Sequence, residues 1–189
     1  MSNFYNLKQC IFSPTAIKNN ILNLPGSDFI PNNEPTLSQD NIILNLHRLF
    51  KYCINPLIEK FGDDLVLISS YRTKELNKLI GGVENSQHVY GYAADIALND
   101  TSSSYLFNWC KTYIPQYHQL IWEYPERGIY SSYSPNFSWV HISYIKENNV
   151  KVNSVSSTNP KIHKAYRDEN TFFLNKFTHK IELANQAII

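Results

Sequence analysis

Two histidines and an aspartate are the side chains of this chain whose types could do chemistry together. His88 and Asp95 lie in Ser86-Gln87-His88-Val89-Tyr90-Gly91-Tyr92-Ala93-Ala94-Asp95, where the small residues between them allow a tight turn from loop into strand. His141 lies in the run SWVHISYI, which reads as a strand over 138–145. Alternation along a strand puts Trp139, His141 and Ser143 on one face and Val140 and Ile142 on the other. Two histidines and one carboxylate with a fourth, open position form the ligand set of a catalytic zinc. Such an ion polarises a carbonyl and brings the pKa of a water down to about 7. Spacing alone leaves a second reading open: a core His141 satisfied by its neighbours, and a loop His88 with no shared role.

The elements that must position these residues are legible in outline. Ser13 or Thr15 can cap a short helix running into AIKNNIL, and the stretch after Gly26 reads as a loop. A long helix is expected from about 38 to 60, with Ile42, Ile43, Leu46, Leu49, Phe50 and Cys53 at helical spacing and Pro56 bending or interrupting it. LVLISSYR (65–72) reads as a buried strand, and residues 73–80 as a short helix ended by Gly81-Gly82. SSYLFNWCKTYI reads as a helix with a serine cap, and HQLIWEY (118–124) as a further strand. Strands and helices do not alternate in a βαβ rhythm, so the expected class is α+β with a largely antiparallel sheet. From Lys146 the chain turns polar, rich in Asn and Ser, and reads as a linker or arm. Phe173, Phe177, Ile181, Ala184 and Ile188 then fall at steps that predict one apolar face of a C-terminal helix, packed on its own domain or on a partner chain.

Composition narrows the function classes. With 43% hydrophobic and 14% aromatic residues among 189, the chain can bury a proper core. Lys plus Arg (17) nearly cancels Asp plus Glu (16), so charge gives no reason to expect a nucleic-acid or membrane-surface partner. Cys10, Cys53 and Cys110 are odd in number and never form a CxxC pair, which argues against a disulfide framework and a thiolate zinc site and for small buried hydrophobes. No stretch approaches the roughly 18 apolar residues of a membrane helix. The first twenty residues show no basic region followed by an apolar run, so no secretory signal is expected.

ISSYRTKELNKLIGGVENSQHVYGYAADI resembles the signature of the zinc D-Ala-D-Ala carboxypeptidase family, which includes phage peptidoglycan endopeptidases and D,D-dipeptidases. The matching residues are Ser70-Tyr71-Arg72, Asn77, Gly81-Gly82, the Ser86-to-Asp95 block and Trp139-Val140-His141. Weaker similarity runs upstream through SPTA (13–16) and NLP (23–25), so the resemblance covers roughly residues 7–145 and is nearest the phage-type branch. It implies a fold shared with the Hedgehog signalling domain: a small antiparallel sheet flanked by helices, carrying zinc. On this basis residues 1–145 form the peptidase-like domain, and 146–189 a polar linker and amphipathic helix. The resemblance implies His88, Asp95 and His141 as zinc ligands, and Arg72 as the cation that holds substrate and stabilises the oxyanion, as a fixed guanidinium beside the metal would. Ser86, Asn77 and Trp139 join Arg72 as candidate substrate-binding residues, with Ser86 either bonding substrate or orienting its loop.

The general base is where the chain departs from part of the family. Many members carry Asp or Glu three residues before the last histidine, and here that position is Ser138, which cannot serve as a base. Glu123 is the best substitute, because Gln119, Ile121 and Glu123 share a strand face that pairing could bring near His141; Glu126 is a weaker one. His118 points to the opposite face and reads as structural. His47, His163 and His179 read as solvated or packed.

The function implied is hydrolysis of peptide bonds in bacterial peptidoglycan, by an endolysin released from the host cytoplasm through a holin or by a hydrolase carried on the virion. The rival is a virion structural or binding protein that reuses the fold, with partners met through the C-terminal tail. A cytoplasmic D-Ala-D-Ala dipeptidase would need an acidic residue reading a free amine, and none can be assigned.

Overall fold

Strand periodicity decides which residues meet the helices and which meet solvent. The computed structural model describes residues 7–28, 37–131, 136–146, 151–156, 164–167, 170–174 and 181–183. Four strands form the antiparallel sheet that matters for the site: β1 (Leu65–Ser69), β2 (Ala93–Leu98), β3 (Gln119–Glu123) and β4 (Trp139–Ser143), in spatial order β1-β2-β4-β3. Ser69 lies opposite Asp95, Asp95 opposite His141, and His141 opposite Ile121. Residues paired across antiparallel strands share a face, so one face carries Asp95, His141 and Ile121, with Glu123 and Trp139 paired at the next position along it. The other face carries Ala94, Ile96, Leu120, Val140 and Ile142, all fully buried in the core. A bulge between Leu67 and Ser69 takes up Ile68 and keeps Ser69 opposite Asp95. The α+β class and the small antiparallel sheet flanked by helices are as expected.

The helices cover the apolar face. Ser38 caps α3 (Gln39–Leu49), and Ile42, Leu46 and Leu49 at helical spacing are buried against the sheet. The helix expected over 38–60 is interrupted near Pro56, giving two helices. A wide π turn, Phe50–Ile54, joins α3 to α4 (Asn55–Phe61), and in it the Asn55 N–H donates to the Phe50 carbonyl five residues back. Proline lacks an N–H and its ring crowds the carbonyl four residues earlier, so the ladder opens just ahead of Pro56. On the same side, α6 (Ser103–Tyr113), capped by Ser102, buries Leu106, Phe107 and Cys110. Two short helices, α1 (Leu7–Ile11) and α2 (Pro14–Lys18, capped by Ser13), precede them. α5 (Lys74–Leu79), capped by Thr73, follows β1. Cys10, Cys53 and Cys110 are free and buried, and burial raises their thiol pKa values, so they act as apolar filler.

Beyond residue 145 the described residues include four further strands. β5 (Val152–Ser156) runs parallel to β3, and β6 (Lys164–Arg167), β7 (Asn170–Leu174) and β8 (Ile181–Leu183) follow as antiparallel neighbours. The Asn153 side chain ties β5 to the domain, its Oδ1 accepting from the Tyr117 hydroxyl at 2.7 Å. The predicted C-terminal helix is therefore corrected: Phe173 and Ile181 lie in strands, and Phe177, Ala184 and Ile188 fall outside the described residues. Thr171-Phe172-Phe173 is a β-forming run. Pairing with β6 gives its backbone partners that a short isolated helix would have to find for itself.

The turn that carries His88 is clamped onto α3. The Asn45 amide donates to the Tyr90 carbonyl at 3.0 Å, and Gly91, at φ 71°, lies so close that a Cβ there would come within 2.8 Å of the Ile42 carbonyl. Both the left-handed backbone and the close approach demand glycine. Gly91→Ala is expected to cost about 2–4 kcal/mol, read as a fall in the midpoint of urea unfolding with an unchanged slope. A variant as stable as the native protein would show that α3 gives way.

Candidate metal centre

His88, Asp95 and His141 come from three separate stretches of chain, and the fold converges them. The loop after α5 carries His88, whose carbonyl accepts from the Arg72 N–H at 3.2 Å and the Gly91 N–H at 3.3 Å. β2 and β4 carry Asp95 and His141 as a directly opposed pair. His88 Nε2 lies 3.3 Å from His141 Nδ1 and 3.2 Å from Asp95 Oδ1, and His141 Nδ1 lies 3.0 Å from that same oxygen. All three residues are buried.

That triangle fits a metal. Tetrahedral zinc with bonds of about 2.0–2.2 Å needs ligand atoms roughly 3.3–3.6 Å apart, so the observed edges need to open by only a few tenths of an ångström. The outward atoms are already held. His88 Nδ1 donates to the Ser70 carbonyl at 2.6 Å, His141 Nε2 to Gln87 Oε1 at 3.1 Å, and Arg72 Nη2 to Asp95 Oδ2 at 2.9 Å. Each such bond turns one lone pair of its ligand inward, which is how metal-binding histidines and carboxylates are oriented. Two imidazoles and one carboxylate suit zinc and leave the fourth position to water or substrate.

The electrostatics agree. Burial lowers the pKa of His88, with Asp95 opposing part of that fall, so the ring is neutral and its lone pair available. Burial alone would raise Asp95, but the facing His88 and His141 outweigh it and hold the carboxyl well below the usual range. Burial also lowers Arg72, against the attraction of Asp95 and Glu123; a guanidinium starts so high that it remains a cation.

Arg72 stands at the rim of the centre. Its Nε donates to Ser69 Oγ at 3.1 Å while Nη2 holds Asp95. It is thus first the partner that orients a ligand, and only its remaining N–H groups can meet a substrate. The backbone around it is stitched down by Asn23, of the NLP triplet, which donates to the Ile11 and Tyr71 carbonyls and accepts from the Thr73 N–H. Glu123 shares the face of His141 one pair along, opposite Trp139, and its charge is felt at Arg72. Ser138 is turned away. Its hydroxyl accepts from Trp122 Nε1 at 2.7 Å and donates to the Glu123 carbonyl at 2.9 Å, while its own carbonyl accepts from Ser103 Oγ. An acid at 138 would therefore meet the core side of the sheet in this chain. Glu126 sits exposed in the turn after β3.

Of the other candidates, Ser86 is buried two residues before His88. Its backbone closes the turn, donating to the Val83 carbonyl and accepting from the Val89 N–H. Asn77 is used inside the same loop: its amide donates to the Val83 carbonyl at 2.8 Å and packs where any Cβ on Gly82 would collide with it. Trp139 is half-buried on the face of the metal centre, packed against Tyr124 and Phe137. His47 is exposed and His118 partly buried on neighbouring elements, while His163 and His179 lie outside the described residues. The sequence reading missed Gln87 and Ser70. Gln87 was open to notice as the polar neighbour of His88, whereas Ser70 acts through its carbonyl, which no residue type announces. A cavity of about 540 Å³ between α1, α4 and β1 takes in none of these residues.

A buried His–Asp–His triangle beside an arginine, on one face of an antiparallel sheet, is a group that could hold a metal ion. Residues 35–126 match the Peptidase M15 family model, so a little under half of the chain is similar to that family. The matched span takes in Arg72, His88, Asp95 and Glu123 and stops before β4, so His141 joins the centre through strand pairing from outside it. No curated protein matches the chain. Among the described residues, no helix is long and apolar enough to cross a membrane.

Proposed function

We propose that the protein is a zinc peptidase that hydrolyses peptide bonds in bacterial peptidoglycan, in stem peptides or the cross-links between them. The single observation that carries this reading is the buried triangle of His88 Nε2, Asp95 Oδ1 and His141 Nδ1, 3.0–3.3 Å on a side with every outward atom held. Zinc bound there would supply a Lewis acid toward a water and toward the scissile carbonyl. Glu123 takes the proton of the attacking water and hands it to the departing amine nitrogen as the C–N bond breaks and the new C–O bond forms. Arg72 keeps Asp95 in place and turns its remaining N–H groups toward the negative charge that develops on the carbonyl oxygen. The biological setting we infer is that of a phage-type enzyme, either an endolysin or a hydrolase carried on the virion.

A second reading, a virion structural or binding protein that reuses the fold, draws on β5–β8, which lengthen the sheet beyond β3. Incubating the purified protein with sacculi from several wall types, with and without EDTA, separates the two. New amino or carboxyl termini in the mass spectrum that vanish with EDTA and return with zinc are the expected result. A folded, zinc-loaded protein that opens no bond in any wall would overturn the hydrolase reading.

A further inference from the structure

The turn that follows Glu123 departs from strand geometry at Tyr124, a non-glycine residue at φ 51°. That conformation is costly for a residue with a Cβ and is kept where surrounding contacts impose it. Regular alternation would send Tyr124 to the core face beside Trp122. Instead its ring packs on Trp139 at 4.9 Å between centroids, on the same face as His141. Arg127, whose N–H donates to the Tyr124 carbonyl at 2.9 Å, folds back so that its guanidinium lies 3.8 Å from the Tyr124 ring centre and 5.9 Å from that of Trp139. Among the described residues, Arg127 has no carboxylate partner.

A guanidinium held 3.8 Å over a ring centre can keep N–H groups at its edge for a ligand, and that edge matches a carboxylate in two parallel hydrogen bonds. Trp139 and His141 are two residues apart on one strand, about 6.7 Å. Arg127 therefore lies on the order of 10–12 Å from the metal centre, which an extended peptide spans in about three residues. We propose that Arg127, held by Tyr124 and Trp139, is a specificity-determining residue that pairs with a free carboxylate of the substrate about three residues from the scissile bond. This rests on the peptidase reading above. The carboxylate can be the side chain of an acidic stem-peptide residue or the free C-terminus of the strand.

The test uses the full-length, zinc-loaded protein and a synthetic wall stem peptide in three forms: with all carboxylates free, with the side-chain carboxylate amidated, and with the terminal carboxylate amidated. For the native protein, one of the two amidations is expected to raise KM about tenfold with kcat within about twofold, and its identity names the source of the carboxylate. In Arg127→Gln that preference is expected to collapse to near unity, and Arg127→Lys should restore only part of it, since an ammonium cannot form the planar pair. Melting temperatures of both variants check folding. An Arg127→Gln protein that keeps the native preference, or a native protein indifferent to both amidations, overturns the proposal. Calorimetric binding of the same three peptides separates this from the reading it rests on. A carboxylate preference in binding that needs Arg127 upholds the subsite even where no bond is cut, while cleavage without such a preference upholds the peptidase and rejects the subsite.

Discussion

Glu123→Gln is expected to lower turnover on a stem peptide by about 10²–10⁴-fold, the range of a lost general base, while zinc content and melting temperature stay native. The substitution keeps the shape and hydrogen-bonding reach of the side chain and removes only its ability to take up a proton. Glu123 faces the same side of the sheet as His141 and acts on Arg72 through its charge, which makes it the candidate base beside the candidate ligands. Ser138, at the position where many members of the resembling family carry an acid, faces Trp122 and cannot take over. Ser138→Asp should therefore leave Glu123→Gln unrescued and cost stability, because it would bury a carboxylate among the partners of a hydroxyl. Native-like kcat in Glu123→Gln would remove Glu123 from the mechanism.

Asp95→Ala is expected to abolish zinc retention and, in the metal-free protein, to cost about 3–5 kcal/mol, the usual penalty for stripping one partner from a buried ion pair. Arg72, with a side chain only 12% exposed, would lose the carboxylate 2.9 Å from its Nη2. The two facing histidines would lose the oxygen that lies between them at 3.0 and 3.2 Å. Adding Arg72→Met to Asp95→Ala should recover much of the stability and none of the zinc, because it removes the orphaned cation without restoring a ligand. Metal analysis after dialysis and urea unfolding in EDTA read the two effects separately. An Asp95→Ala protein that retains stoichiometric zinc would mean that the triangle is a hydrogen-bonded polar core, the reading that spacing alone left open.

Much of this was legible in the chain because it depends on short-range chemistry. The serine caps of α2 and α6, the break near Pro56 and the turn at Gly91 each follow from a few neighbouring residues, and all stand in the structure. Alternation along β4 is as local, and it put Trp139 and His141 on one face before any partner strand was known. The tail marks the limit of such reasoning. Apolar steps of three and four between Phe173 and Ile188 suit a helix, yet the described residues are strands, since an open sheet edge offers hydrogen bonds that periodicity does not register.

What the sequence by itself offered is the candidate ligand set, His88, Asp95 and His141, and the class of fold that could gather it. Only the tertiary structure decided how each ligand is used. Gln87 turns His141 across 54 residues of sequence, Arg72 holds Asp95 across 23, and Ser138 is spent on Trp122 while Glu123 is left beside the centre. Those assignments depend on strand register and on which face a side chain meets. A shift of one residue in pairing would reverse every one of them, and register is set by the whole core rather than by any segment that could be read alone.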